Sequence, residues 1–160
     1  MHARWLIIDG NNLIHSDLDM PRELLKNFDR ARASLVQRLD RLVGVLADRI
    51  TIVFDGRGSG GPSESASAVE VVFSPSRLTA DSVIERLVRT AASPAGIAVI
   101  TSDRLERDSV EAAGIQSVSC RSFLEILRKE ESHPSIKPTR NRAPRPTLGD
   151  LFPPPPSKKP

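Results

Sequence analysis

The chain has 160 residues, 39% of them apolar, which is enough for one domain with a real core. No stretch approaches the roughly 18–20 apolar residues of a transmembrane helix, and the lone cysteine, Cys120, excludes an internal disulfide. The net charge of +3 is uneven: Lys137, Arg140, Arg142, Arg145, Lys158 and Lys159 face only Asp150 within residues 132–160, so the body before them is slightly acidic.

The first element is "WLIID", residues 5–9, a short buried strand that ends on a carboxylate. It begins almost at Met1, so no leader is expected, and a cytoplasmic location is the simplest reading. A loop is expected through Met20. From Pro21 to about Ala47, Leu24, Leu25, Phe28, Leu35, Leu39, Leu42, Val43 and Leu46 recur at helical spacing. "ITIVFD", 50–55, reads as a second buried strand, and the Gly- and Ser-rich stretch 56–68 as a loop. "VEVVF", 69–73, reads as a third strand.

Thr79 is placed to cap a helix that starts at Ala80 and carries the stripe Val83, Ile84, Leu87 and Val88. "IAVIT", 97–101, is a fourth strand, a helix over 104–113 stops at Gly114, and "IQSVS" is a short fifth strand. A last helix spans 122–131. Strand–helix alternation with apolar strand runs predicts an α/β sandwich with a mainly parallel sheet of about five strands. Residues 1–131 form the expected domain. Residues 132–160, with nine prolines, are expected to be a basic, disordered tail.

The acids gather at one edge. Asp9 ends strand one, Asp55 ends strand two, Asp81 lies in the first turn after strand three, and Asp103 follows strand four. Ligands of open parallel sheets bind outside the carboxyl ends of the strands, which is this edge. Two readings of each acid stand side by side. Asp and Asn at strand-to-helix junctions cap helices, and a cluster of carboxylates holds a cation. Oxygen donors without His or Cys select hard ions such as Mg²⁺ or Mn²⁺. Arg57, Arg77, Arg86 and Arg104 lie near the same edge. Arg57 and Arg77 are the candidates for binding phosphates, whereas Arg86 reads as pairing along its helix. His15 reads as a surface residue and Trp5 as sheet packing.

"IIDGNNLI", then "IVFDG", "VVFS" with "TADSVIERL", and "VITSD", in that order, resemble the YacP-like NYN branch of the PIN-like nuclease superfamily. The resemblance spans roughly residues 4–128. It implies a three-layer α/β/α sandwich and metal-dependent endonucleolytic cleavage of RNA, with RNA and the ribosome as partners. It also implies catalytic roles for Asp9, Asn12, Asp81 and Asp103, with Asp9, Asp81 and Asp103 as metal ligands and Asp55 as a further candidate ligand. Asn11 stands where many relatives carry an aromatic residue. The competing reading is an inactive RNA- or ribosome-binding adaptor on the same fold.

Overall fold

The computed structural model describes residues 2–56, 67–75 and 77–133. The elements run β1 (Ala3–Asp9), α1 (Gly10–Ser16), α2 (Arg22–Leu25), α3 (Phe28–Asp40), β2 (Ala47–Phe54), β3 (Glu70–Phe73), α4 (Ala80–Thr90), β4 (Ile97–Ile100), α5 (Arg104–Ala112), β5 (Gln116–Val118) and α6 (Cys120–Ser132). The five strands pair in the order β3-β2-β1-β4-β5, and every pairing is parallel.

The side-chain alternation of β1 divides the core. Leu6 and Ile8 face Leu13, Leu35, Leu39, Phe123 and Leu127, so α1, α3 and α6 cover one side. Ile7 faces Ile84, Val99 and Val110, so α4 and α5 cover the other. Each such fully buried Leu or Ile contributes about 1.5–3 kcal/mol by leaving water. Both faces of the central strand are dry, which explains its unbroken apolar run.

The segment after β1 is helical, not the loop expected from "GNNLIHS". Gly and Asn are weak helix formers, but three tertiary features outweigh that. Asp9 accepts the Asn12 N–H at 2.9 Å as the N-cap. Leu13 and Ile14 are buried. Gly10 lies so close to the sheet that a Cβ would sit 2.5 Å from Phe54 Cδ1 and 2.9 Å from Ile52 Cγ1. The long helix expected over 21–47 is instead split. Asn27 adopts an extended backbone and accepts the Arg30 N–H at 3.1 Å, which starts α3 afresh. That helix ends at Asp40, and Leu42 and Leu46 are buried in the turns leading to β2. Thr79 caps α4 through the Ser82 N–H, and Gly114 leaves α5 with φ of 78°. Arg57, most of the Gly/Ser stretch and the tail from Pro134 onward lie outside the described residues.

Candidate metal centre

Strand order reverses at β1, whose neighbours β2 and β4 lead outward in opposite directions. The crevice at such a switch point is where open α/β sheets place ligands. Asp9 enters it from the end of β1 and is only 4% exposed. Its two oxygens accept from Asn12, one from the backbone N–H and one from the side-chain Nδ2, both at 2.9 Å. Asn12 Nδ2 also lies 3.4 Å from Thr101 Oγ1 at the end of β4. Asn12 therefore fixes the orientation of Asp9 and ties it to the neighbouring strand. Burial raises the Asp9 carboxyl above its usual range; the Asn12 bonds oppose the rise and the charge of Asp55 adds to it.

Asp81 arrives from the first turn of α4, half-buried. Its carboxyl is also raised, first by desolvation and then by the charges of Asp9, Asp103, Asp55 and Glu85. The third member is Glu106, on the first turn of α5. One oxygen from each of Asp9, Asp81 and Glu106 falls within 4.8 Å of the others. Glu106 is 3% exposed, and neither of its carboxylate oxygens has a formed hydrogen bond to another described residue. Burial pushes its pKa up to about 8, with the charges of Asp81, Asp9 and Asp103 adding to the rise. The nearby Thr101 hydroxyl offsets only part of this: it eases the charge without forming a well-shaped bond.

Two ionised carboxylates at 4.8 Å repel by roughly 3.5 kcal/mol at an effective dielectric of about 20. Three such groups, one with orphaned oxygens, fit a cation in their midst, and an all-oxygen set fits a hard divalent ion. Asp9, Asp81 and Glu106 are the residues that could hold such an ion.

The other expected acids stand beside this group. Asp103 is the N-cap of α5, its Oδ1 accepting from the N–H groups of Leu105 at 2.8 Å and Glu106 at 3.2 Å. It is absent from the tight triad but contributes its charge to it. Asp55 is a joint. Oδ1 accepts the Ala80 N–H at 2.6 Å and faces Ser74 Oγ at 3.4 Å, while Oδ2 accepts from Asn11 Nδ2 at 3.3 Å. Its backbone carbonyl takes Arg32 Nη2 at 2.7 Å, and the Arg32 guanidinium lies over the rings of Phe28, Phe54 and Phe73. Asp55 thereby aims the start of α4, and with it Asp81.

Arg77 is exposed in the turn before α4. Glu85 bonds Ser109 of α5 at 2.9 Å and pairs with Arg89, so Arg89 and not Arg86 makes the ion pair along α4. His15 is exposed with its ring against Phe28, and Trp5 donates to Thr51 at 2.9 Å within the sheet.

Glu106 carries no separate signal in the sequence: "DRLE" has the spacing of a capping box, in which the Glu turns back to the cap N–H. Here that N–H is taken by Thr101 Oγ1 at 3.1 Å, and Glu106 turns into the crevice instead.

A five-stranded parallel sheet with helices on both faces and buried acids at its switch point is the architecture expected of a PIN-like domain, and it is consistent with a nuclease-type class. The YacP-like NYN domain profile matches residues 6–150, and the chain belongs to that family. The match runs past the end of α6. The chain is 30% identical over 130 residues to the uncharacterized protein YacP of Bacillus subtilis, covering 79% of this chain and 75% of that one. Two crystal structures of Rae1 (YacP) from the same organism align with a TM-score of 0.65 each. The W164L mutant is 29% identical and the other is 30% identical; each covers 79% of this chain, and 76% and 74% of theirs.

Proposed function

We propose that this chain is a divalent-metal-dependent endoribonuclease that hydrolyses RNA phosphodiester bonds, in the cytoplasm and in association with the ribosome. The observation that carries the reading is Glu106: a buried carboxylate without a formed hydrogen bond, completing a triad with Asp9 and Asp81. Such an arrangement is costly unless a cation or a proton resolves it.

Mg²⁺ or Mn²⁺ bound there would polarise a phosphoryl oxygen and favour ionisation of attacking water. The protein's own groups do the rest. Asn12 locks Asp9 in one rotamer, Asp55 fixes the first turn of α4 under Asp81, and Asp103 fixes the first turn of α5 under Glu106. The carboxylates are thus set before any substrate arrives, so little reorganisation is left for the reaction. Arg77, Arg57 and the basic residues of the tail supply charge for RNA phosphates and for ribosomal RNA.

The test is incubation of the purified protein with structured and single-stranded RNAs, in Mg²⁺, Mn²⁺ or EDTA, beside Asp9→Asn. Cleavage that needs metal and Asp9 supports the reading. Binding of RNA with no cleavage under any condition replaces it with the adaptor.

A further inference from the structure

Each helix that delivers a ligand from the second half of the chain is introduced by the same dipeptide. Arg77–Leu78 precedes α4 and its Asp81; Arg104–Leu105 opens α5 immediately before Glu106. All four side chains are exposed. Leu105 is 81% exposed and Leu78 42%. Neither arginine has a side-chain hydrogen bond or ion pair to another described residue; Arg22, Arg30, Arg41 and Arg86 share that state, but none of them introduces a helix that carries a member of the triad.

Single exposed leucines are ordinary on protein surfaces. These two differ by place and by rigidity. Leu18, Leu25, Val45 and Val71 are also exposed, but none introduces a helix that carries a candidate ligand. The Leu105 N–H is held by Asp103 Oδ1 at 2.8 Å, and the Leu78 N–H by the Pro75 carbonyl at 2.8 Å. Each leucine is therefore presented to solvent on fixed backbone at the start of a helix that carries a member of the triad, next to an arginine that forms no ion pair with another described residue.

We infer that the two Arg–Leu pairs form the strand-gripping rim of this site, in which Leu78 and Leu105 press against the faces of unstacked bases while Arg77 and Arg104 take the flanking phosphates. Apolar side chains of this kind insert between bases elsewhere in nucleic-acid recognition, and every base offers a face regardless of its identity. A rim so built reads whether bases are free to splay and not which bases they are. The inference rests on the RNA-cleaving reading for the identity of the strand, but its test does not depend on cleavage.

The full chain is titrated in EDTA, where metal-dependent turnover is absent, against three fluorescein-labelled probes: a single-stranded 12-mer RNA, the same length of abasic strand, and a 12-base-pair duplex. Anisotropy gives Kd. Leu78→Ala/Leu105→Ala should weaken the single strand at least tenfold and leave the abasic strand and duplex unchanged. Its thermal midpoint should match wild type, because the side chains removed are exposed. Leu105→Phe should restore affinity to the Leu78→Ala/Leu105→Ala pair when it replaces the alanine there. Arg77→Gln/Arg104→Gln should weaken all three probes alike and lower the salt slope by about two. Equal affinity of the leucine double variant and wild type for the single strand overturns the inference. So does an equal loss on the abasic strand, or failure of wild type to bind the single strand. Leucine-dependent binding without any cleavage in metal sinks the nuclease reading and leaves the rim standing.

Discussion

Glu106→Gln separates a ligand from a buried accident. In the absence of metal the Glu106 pKa stands at about 8, against an ordinary value of 4.5. Between those values the folded chain keeps a proton that the unfolded chain releases, so stability is whole below pH 4.5 and is lost as pH rises through 8. Each pH unit above the unfolded value costs about 1.4 kcal/mol, which comes to roughly 3 kcal/mol at pH 7. Glutamine has nearly the same shape and no charge to shed. In EDTA at pH 7, Glu106→Gln should therefore be more stable than wild type by roughly 3 kcal/mol, on the order of 10 °C in midpoint for a chain of this size. The two proteins should converge near pH 4.5. Added Mg²⁺ or Mn²⁺ should raise the wild-type midpoint by preferential binding to the folded state and leave the variant nearly unmoved. The assay is thermal unfolding from pH 4 to 9, with and without metal. A variant no more stable than wild type in EDTA, and with an intact response to metal, would refute the placement of Glu106 in a charged crevice.

Asp81→Asn should abolish the metal-induced rise in midpoint and RNA cleavage while leaving the metal-free fold intact, as read by the same unfolding curves and a gel assay. Asp55→Asn should keep the metal response, since Asp55 is committed to Ala80 and Asn11; Asp55→Ala should cost about 1 kcal/mol, the usual worth of a helix-end acceptor, visible in urea denaturation. Gly10→Ala should destabilise by roughly 1–3 kcal/mol, the usual cost of overpacking, because the added methyl meets Phe54 and Ile52; an unchanged urea midpoint would contradict the packing. Deleting 133–160 should leave the thermal midpoint nearly unchanged while weakening RNA association at low salt, and a large loss of stability would show that the tail packs on the body.

Elements whose own residues favour them were legible in the sequence. The apolar run of β1, the Thr79 cap of α4 and the terminal Gly114 of α5 are local signals, and strand–helix alternation carried the parallel architecture. The edge that collects Asp9, Asp55, Asp81 and Asp103 follows from that architecture alone. Which of them meet does not, because it depends on rotamers and on competition for N–H donors. Asp103 gives one oxygen to two N–H groups of α5, and Asp55 spends both of its oxygens on Asn11, Ser74 and Ala80. Glu106 gives up the cap to Thr101 and is left facing the crevice. The helix α1 was hidden for the converse reason: a segment of poor intrinsic propensity is held by burial of Leu13 and Ile14 and by Asp9 at its start.

The order of the strands also sets the moment at which the site comes into being. β1 is translated first and lies at the centre, yet its two neighbours are β2 and the much later β4. Asp9, Asp81 and Glu106 come from β1, α4 and α5, far apart along the chain. A nascent chain that has emerged only as far as β3 holds Asp9 alone, with half of β1 still lacking its partner strand. A chain that stops before α5 lacks Glu106, and a cut between α4 and α5 separates Glu106 from Asp9 and Asp81, so neither piece holds the complete triad. The centre is therefore completed only once α5 has emerged, after four of the five strands of the sheet have been synthesised.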